Sequence, residues 1–180
     1  METNVKNIEK PILLNQFVQT PREITEVLMR FEKFDGDVLE PCCGMGAISE
    51  VVKQTNHVIS CDKNDYGYGV TGVDLFGIRD KYDNIITNPP FIQQSKVKRH
   101  LLKITKRKLA LLWYLKNLGN EVETKQSQHL KSVYVFNQKI NWVETKLGWK
   151  FAWYVWDKEY EGDIIIKKID LPKAQTKLFI

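Results

Sequence analysis

Apolar residues recur along this chain in two rhythms. Ile24, Val27, Leu28 and Phe31 fall at i, i+3, i+4 and i+7, the spacing of one buried helix face. Thr20-Pro21-Arg22-Glu23 precedes them as a capping box, with Thr20 at the N-cap, Pro21 at the first helical position and Glu23 three residues on. Asp35-Gly36 is the expected stop. Residues 37–40 then predict a short buried strand, and Ala47, Ile48, Val51 and Val52 return to helical spacing. Residues 57–61 predict a second strand, and residues 70–73 a weak third. Ile85 and Ile86 are β-branched and apolar, as a buried parallel strand requires. Residues 92–105 predict a helix and residues 109–115 a continuous apolar strand. Residues 117–131 are polar, a loop with room for a short helix. Residues 132–136 alternate as a strand, 151–156 form an aromatic one, and 164–166 a last short one.

Strand and helix alternate up to Leu115, and strands then follow without long helices between them. That order predicts an α/β chain of one Rossmann-like domain over residues 1–180, with a core of about 16–170 and loose termini. The expected sheet has seven strands, mostly parallel, with one late antiparallel strand at 151–156 and helices on both faces.

Composition narrows the class. Hydrophobic content of 43% and charged content of 27% suit a soluble globular protein. No apolar run approaches the ~20 residues of a membrane span, and the polar amino terminus has no apolar signal core. Cys42 and Cys43 are adjacent and Cys61 is distant, which fits neither a disulfide framework nor zinc spacing. No metal site is expected, and the cysteines read as small buried apolar residues in a reducing cytoplasm.

Charge adds a location. The net charge is +5, yet residues 96–108 carry seven basic side chains and no acid, which leaves the rest of the chain at −2. Lys96, Arg99, Lys103 and Lys106 recur at three and four, and Arg107 follows. This is either a solvated helix face or a surface for a polyanion such as nucleic acid.

The chemistry is concentrated in Asn88-Pro89-Pro90-Phe91. Two prolines can neither donate to a sheet nor continue a helix, so the strand through Ile85-Ile86 must stop there. The stop leaves an amide side chain, a stiff turn and an exposed aromatic ring at a strand's carboxyl end, the edge where open α/β sheets bind ligands. An Asn oxygen and a peptide carbonyl are acceptors that together can hold an exocyclic NH2 group, and a Phe beside them can stack on the base that carries it. A strand ending in a rigid turn is the plainer alternative.

Three further features stand upstream. Glu40-Pro41-Cys42-Cys43-Gly44-Met45-Gly46 is a glycine turn between a strand and a helix, where backbone can approach a ligand and a helix terminus can offer N–H groups. Asp62 ends the second strand, where an acid suits ribose hydroxyls or simply a turn. Asp74 ends the third and could accept from an adenine amino group. Phe17 lies in a polar loop ahead of Thr20, a lead-in or a ligand contact.

In this order, Glu40-Pro41-x-x-Gly44-x-Gly46, Asp62, Asp74 and Asn88-Pro89-Pro90-Phe91 resemble the class I S-adenosylmethionine-dependent methyltransferases. The resemblance is closest to small phage-type enzymes that modify N6 of adenine in DNA. It covers roughly residues 16–162, with residues 17–21 similar to the segment over the methionine end of the cofactor and residues 151–157 to a late strand. It implies S-adenosylmethionine as cofactor, bound by Phe17, Thr20, Glu40, Pro41, Gly44, Gly46, Asp62, Asp74 and Asn88. It implies catalysis by Asn88, Pro89, Pro90 and Phe91, and DNA in preference to RNA against Lys96, Arg99, Lys103, Lys106 and Arg107. N-P-P-[FY] also serves RNA adenine and protein glutamine methyltransferases, and the fold can persist as a non-catalytic binding subunit. Glu40 stands where Asp is frequent, Cys42-Cys43 where small residues are usual, and the long insert of restriction-type enzymes is missing. The target sequence and oligomeric state are left open.

Overall fold

A computed structural model describes residues 19–119, 128–137 and 150–171. Seven strands form one sheet: β1 (Val38–Glu40), β2 (Val58–Ser60), β3 (Tyr82–Thr87), β4 (Thr105–Tyr114), β5 (Leu130–Phe136), β6 (Phe151–Asp157) and β7 (Ile165–Ile169). Their order is β2-β1-β3-β4-β6-β5-β7. All neighbours are parallel except the two pairings of β6, which runs antiparallel to β4 and β5. The single antiparallel strand and the seven-stranded α/β sheet are as the sequence predicts.

The helices are α1 (Arg22–Phe31), α2 (Ser49–Val52) and α3 (Gln94–Ile104). Side chains alternate across the central strands, so the sheet is buried on both faces. Ile86, Ala110, Leu112, Trp153 and Val155 face α1 and α2 through Ile24, Val27, Leu28 and Val52. Ile85, Leu109, Leu111, Trp113, Tyr154 and Trp156 face α3 through Val97, Leu101 and Ile104. Two-sided burial is why β4 and β6 read as unbroken apolar and aromatic runs. Trp153 Nε1 also donates to the Ile24 carbonyl at 2.9 Å, tying β6 to α1.

Four local expectations change. The weak third strand reduces to one bridge, Cys61 to Val70; Gly67, Gly69 and Gly72 take positive φ there, and Val70 is exposed. The last short strand expected at 164–166 is β7, which completes the seven at the opposite edge of the sheet. The first helix ends at Phe31 rather than at Asp35-Gly36, and Phe31 is an exposed ring stacked on Tyr134 at 5.5 Å instead of a core residue. β4 begins at Thr105, before the apolar run, and so takes Lys106, Arg107 and Lys108 into the sheet. Among the described residues no helix is long and apolar enough to cross a membrane.

Candidate active site

The carboxyl ends of β1, β2 and β3 open on a cleft of about 820 Å³. Thr20, Glu40, Pro41, Asp62, Asp74, Asn88, Pro89, Pro90, Phe91 and Lys96 all line it. Motifs up to 76 residues apart in sequence therefore meet at one sheet edge, as the switch-point rule for open α/β sheets requires. Phe17 lies outside the described residues.

Each acid is held differently. Glu40 is 2% exposed, takes a short hydrogen bond from Ser49 Oγ, and has its carboxyl pushed up to about 8. Burial is the main cause, the bond from Ser49 opposes it, and repulsion from Asp62 adds to it. Ser49 Oγ also lies 2.6 Å from Ser60 Oγ, which links α2 to β2 beneath the cleft. Asp62 Oδ2 accepts from the Gly44 amide at 3.0 Å and Oδ1 from the Asn64 amide at 2.9 Å. Asp74 is more exposed; the Phe76 amide, donating at 2.9 Å, and then Lys63 hold its carboxyl low.

The glycine turn departs from expectation in one respect. α2 is a single turn and offers no N-terminal anion site. Gly46 has φ +82°, and a Cβ there would lie 2.6 Å from the Tyr68 ring. It is thus required by its own backbone and by Tyr68, whose hydroxyl donates to Glu50 at 3.0 Å. Gly44 also has positive φ, and its amide is the one Asp62 binds. Burial pushes all three thiols up, Cys43 to about 12 and Cys61 to about 11, so none is a ready nucleophile. Among the described residues no group of His, Cys, Asp and Glu could hold a metal ion.

Asn88 sits where β3 gives way to Pro89. Its Nδ2 donates to Thr20 Oγ1 at 3.1 Å, and its Oδ1 is buried without a partner. The sequence predicted Thr20 as the N-cap of α1; instead Pro21 stands there and no side chain caps the helix. Phe91 is half-buried rather than exposed, packed 4.5 Å from Tyr114 and 5.6 Å from Phe151 between ring centres. It forms the cleft-side member of an aromatic trio, which sequence spacing could not reveal.

The basic segment divides. Lys96 lies on the first turn of α3, lines the cleft and places its ammonium 4.6 Å from the Phe76 ring. Arg99 and Lys103 are exposed farther along the same helix. Lys98 is buried against Trp156. Lys106 and Arg107 instead stand at the amino end of β4, the sheet edge away from Asn88, where Asp83 (3.2 Å) and Asp35 (3.8 Å) pair with them. Lys108 is tied there to Glu32 at 3.1 Å, beside Lys131 and Tyr134. Lys106 and Arg107 therefore lie in β4 and do not continue the helix face of Lys96, Arg99 and Lys103 that the spacing predicts.

No family model and no curated protein matches the chain. Solved structures do. A candidate RNA methyltransferase from Pyrococcus horikoshii superposes with a TM-score of 0.63 at 15% identity, over 86% of this chain and 93% of the other. A type I restriction-modification methyltransferase subunit from Streptococcus thermophilus gives 0.58 at 12% identity, over 87% of this chain and 48% of that one. The E. cuniculi Mtq2–Trm112 complex, which methylates the eRF1 termination factor, gives 0.56 at 20% identity, over 75% and 92%. Other matches were crystallised with S-adenosylmethionine or S-adenosylhomocysteine bound. The fold of this chain is that of the S-adenosylmethionine-dependent methyltransferases.

Proposed function

We propose that this chain is an S-adenosylmethionine-dependent methyltransferase acting on an exocyclic amino group, with N6 of adenine in DNA as the substrate. One observation carries the reading: Asn88 Oδ1 is a buried acceptor without a partner, at the lip of a cleft lined by three acids. A buried acceptor left open costs about 1–3 kcal/mol, and an incoming N–H satisfies it. The residues present suit the cofactor. Asp62 keeps free lone pairs for ribose hydroxyls after its two backbone bonds. Asp74 stands at the cleft rim for an adenine amino group, and Gly44 and Gly46 lie in the turn behind the lining residues Cys43, Met45 and Ala47, with Gly44 holding Asp62.

Bound there, the cofactor supplies an electrophilic methyl on a sulfonium that is its own leaving group. The protein's task is positioning and polarisation. Asn88 Oδ1 and the Pro89 carbonyl accept the two amino hydrogens. That draws the nitrogen lone pair out of conjugation with the ring and aims it at the methyl. With the cofactor bound, that nitrogen would take the methyl as the thioether leaves, and the proton it then sheds would pass to water at the open cleft. Phe91, backed by Tyr114 and Phe151, gives the base a face to stack on. Extruding the base costs a few kcal/mol, and stacking returns ~1–3 kcal/mol.

Lys96, Arg99 and Lys103 favour a polyanion over a protein substrate, and the similarity to a restriction-modification subunit favours DNA. RNA is the second reading, because the candidate RNA methyltransferase is matched over nearly its whole length. Incubation with labelled cofactor and separate DNA and RNA pools tests both. Label in N6-methyladenine of DNA is the expected result. Label only in RNA moves the substrate, and label in neither overturns the reading.

A further inference from the structure

We propose that Thr20 is a positioning residue for Asn88: by accepting from Nδ2 it turns Oδ1 toward the substrate amine. The inference rests on Asn88 being the acceptor for that amine. A carboxamide has two ends of similar size and opposite hydrogen-bonding sense. A half-turn about its last bond would set Nδ2 against the incoming amine, donor against donor. Which end faces the cleft must therefore be fixed from behind. Asn88 Nδ2 lies 3.1 Å from Thr20 Oγ1, and Oδ1 has no partner. A hydroxyl can donate or accept, but Nδ2 can only donate, so Thr20 accepts here.

Two features separate this from an incidental contact. Thr20-Pro21-Arg22-Glu23 is a capping-box sequence, yet no side chain caps α1; the hydroxyl is used on a residue 68 positions away. Thr20 is also only 6% exposed and Asn88 Oδ1 is buried, so solvent is poorly placed to replace the bond.

Thr20→Val keeps the shape and removes the acceptor, while Thr20→Ser keeps the acceptor. Asn88→Asp makes the other end symmetric, because a carboxylate has no wrong orientation. With a mixed-sequence DNA pool, Thr20→Val should lower the single-turnover rate roughly tenfold, the size of one lost neutral hydrogen bond, and Thr20→Ser should retain the rate. In Asn88→Asp, whatever rate remains should be indifferent to Thr20→Val. An equal loss in both backgrounds, or none in either, overturns the proposal. The side-chain NH2 of Asn88 in 15N-labelled protein gives a readout independent of turnover. Its protons should exchange slowly in wild type and fast in Thr20→Val. Equal exchange overturns the positioning role even if the enzyme is active. Slow wild-type exchange that Thr20→Val abolishes, in a protein that methylates no nucleic acid, would uphold the orientation of Asn88 by Thr20 and overturn the substrate reading, so the two failures are distinguishable.

Discussion

Asp62 and Gly44 are joined by a hydrogen bond of 3.0 Å from the Gly44 amide to Asp62 Oδ2. The acid after β2 therefore fixes the glycine turn after β1 before any ligand arrives. A second bond, from the Asn64 amide to Oδ1, fixes the carboxylate in turn. Asp62 thus shapes the glycine turn and, in the proposed function, also presents lone pairs to ribose. Asp62→Ala should weaken S-adenosylhomocysteine binding by ~1–3 kcal/mol, the cost of unpaired hydroxyls. Because it also frees the Gly44 amide, it should lower Tm in the ligand-free protein. Calorimetry showing unchanged affinity in a folded variant would remove Asp62 from the site.

Glu40 makes stability depend on pH in an unusual direction. Its carboxyl is raised from 4.5 to about 8 by burial. Between those values the folded protein holds a proton that the unfolded chain has lost. Stability therefore falls as pH rises through this window, and is unaffected by this group below it. Glu40→Gln keeps an acceptor for Ser49 and cannot ionise. The wild type should lose Tm between pH 5 and pH 8 relative to Glu40→Gln (pH values on the order of the two ends of that window). Parallel melting curves for the two proteins would show that Glu40 is charged in the fold at neutral pH.

The basic segment yields a contrast between two groups of residues. Lys96, Arg99 and Lys103 lie on α3, whereas Lys106 and Arg107 have acidic partners at the far sheet edge. Replacing the first three together should weaken nucleic-acid binding and flatten its salt dependence, because fewer counterions are released. Replacing Lys106 and Arg107 should leave the salt slope unchanged. Equal slopes for wild type and the α3 triple variant would make α3 a solvated face.

The sheet was legible wherever burial is continuous. Ile85-Ile86 and the 109–115 run declared β3 and β4, and Asn88-Pro89-Pro90 declared the end of β3, because prolines leave few alternatives. What escaped were pairings between distant residues. Lys106 to Lys108 read as surface charge, since nothing local shows that Glu32, Asp35 and Asp83 come to meet them. Thr20 read as a helix cap, since the capping pattern is local and Asn88 is not. Gly46 read as room for a ligand, whereas Tyr68 occupies that side. The bridge at Val70 read as a strand because its β-branched residues outweighed three glycines whose positive φ breaks the ladder.

The chemistry is most exposed to test at Asn88. In the proposed mechanism its Oδ1 gains most as the amino nitrogen rehybridises, so the loss belongs in the rate more than in binding. Asn88→Ala should fold, retain cofactor affinity and lose nearly all methyl transfer. Phe91 differs, because it packs on Tyr114 and Phe151 as well as facing the cleft. Phe91→Ala opens that trio, so it should cost both stability and retention of the extruded base, while Phe91→Tyr and Phe91→Trp keep a stacking face and activity. Mass spectrometry of digested DNA should show N6-methyladenine. N4-methylcytosine as the main product would transfer the same geometry to the other exocyclic amine. A 5-methylcytosine product would defeat the mechanism, because methylation at that carbon needs a covalent nucleophile, and the thiols here are held protonated by burial.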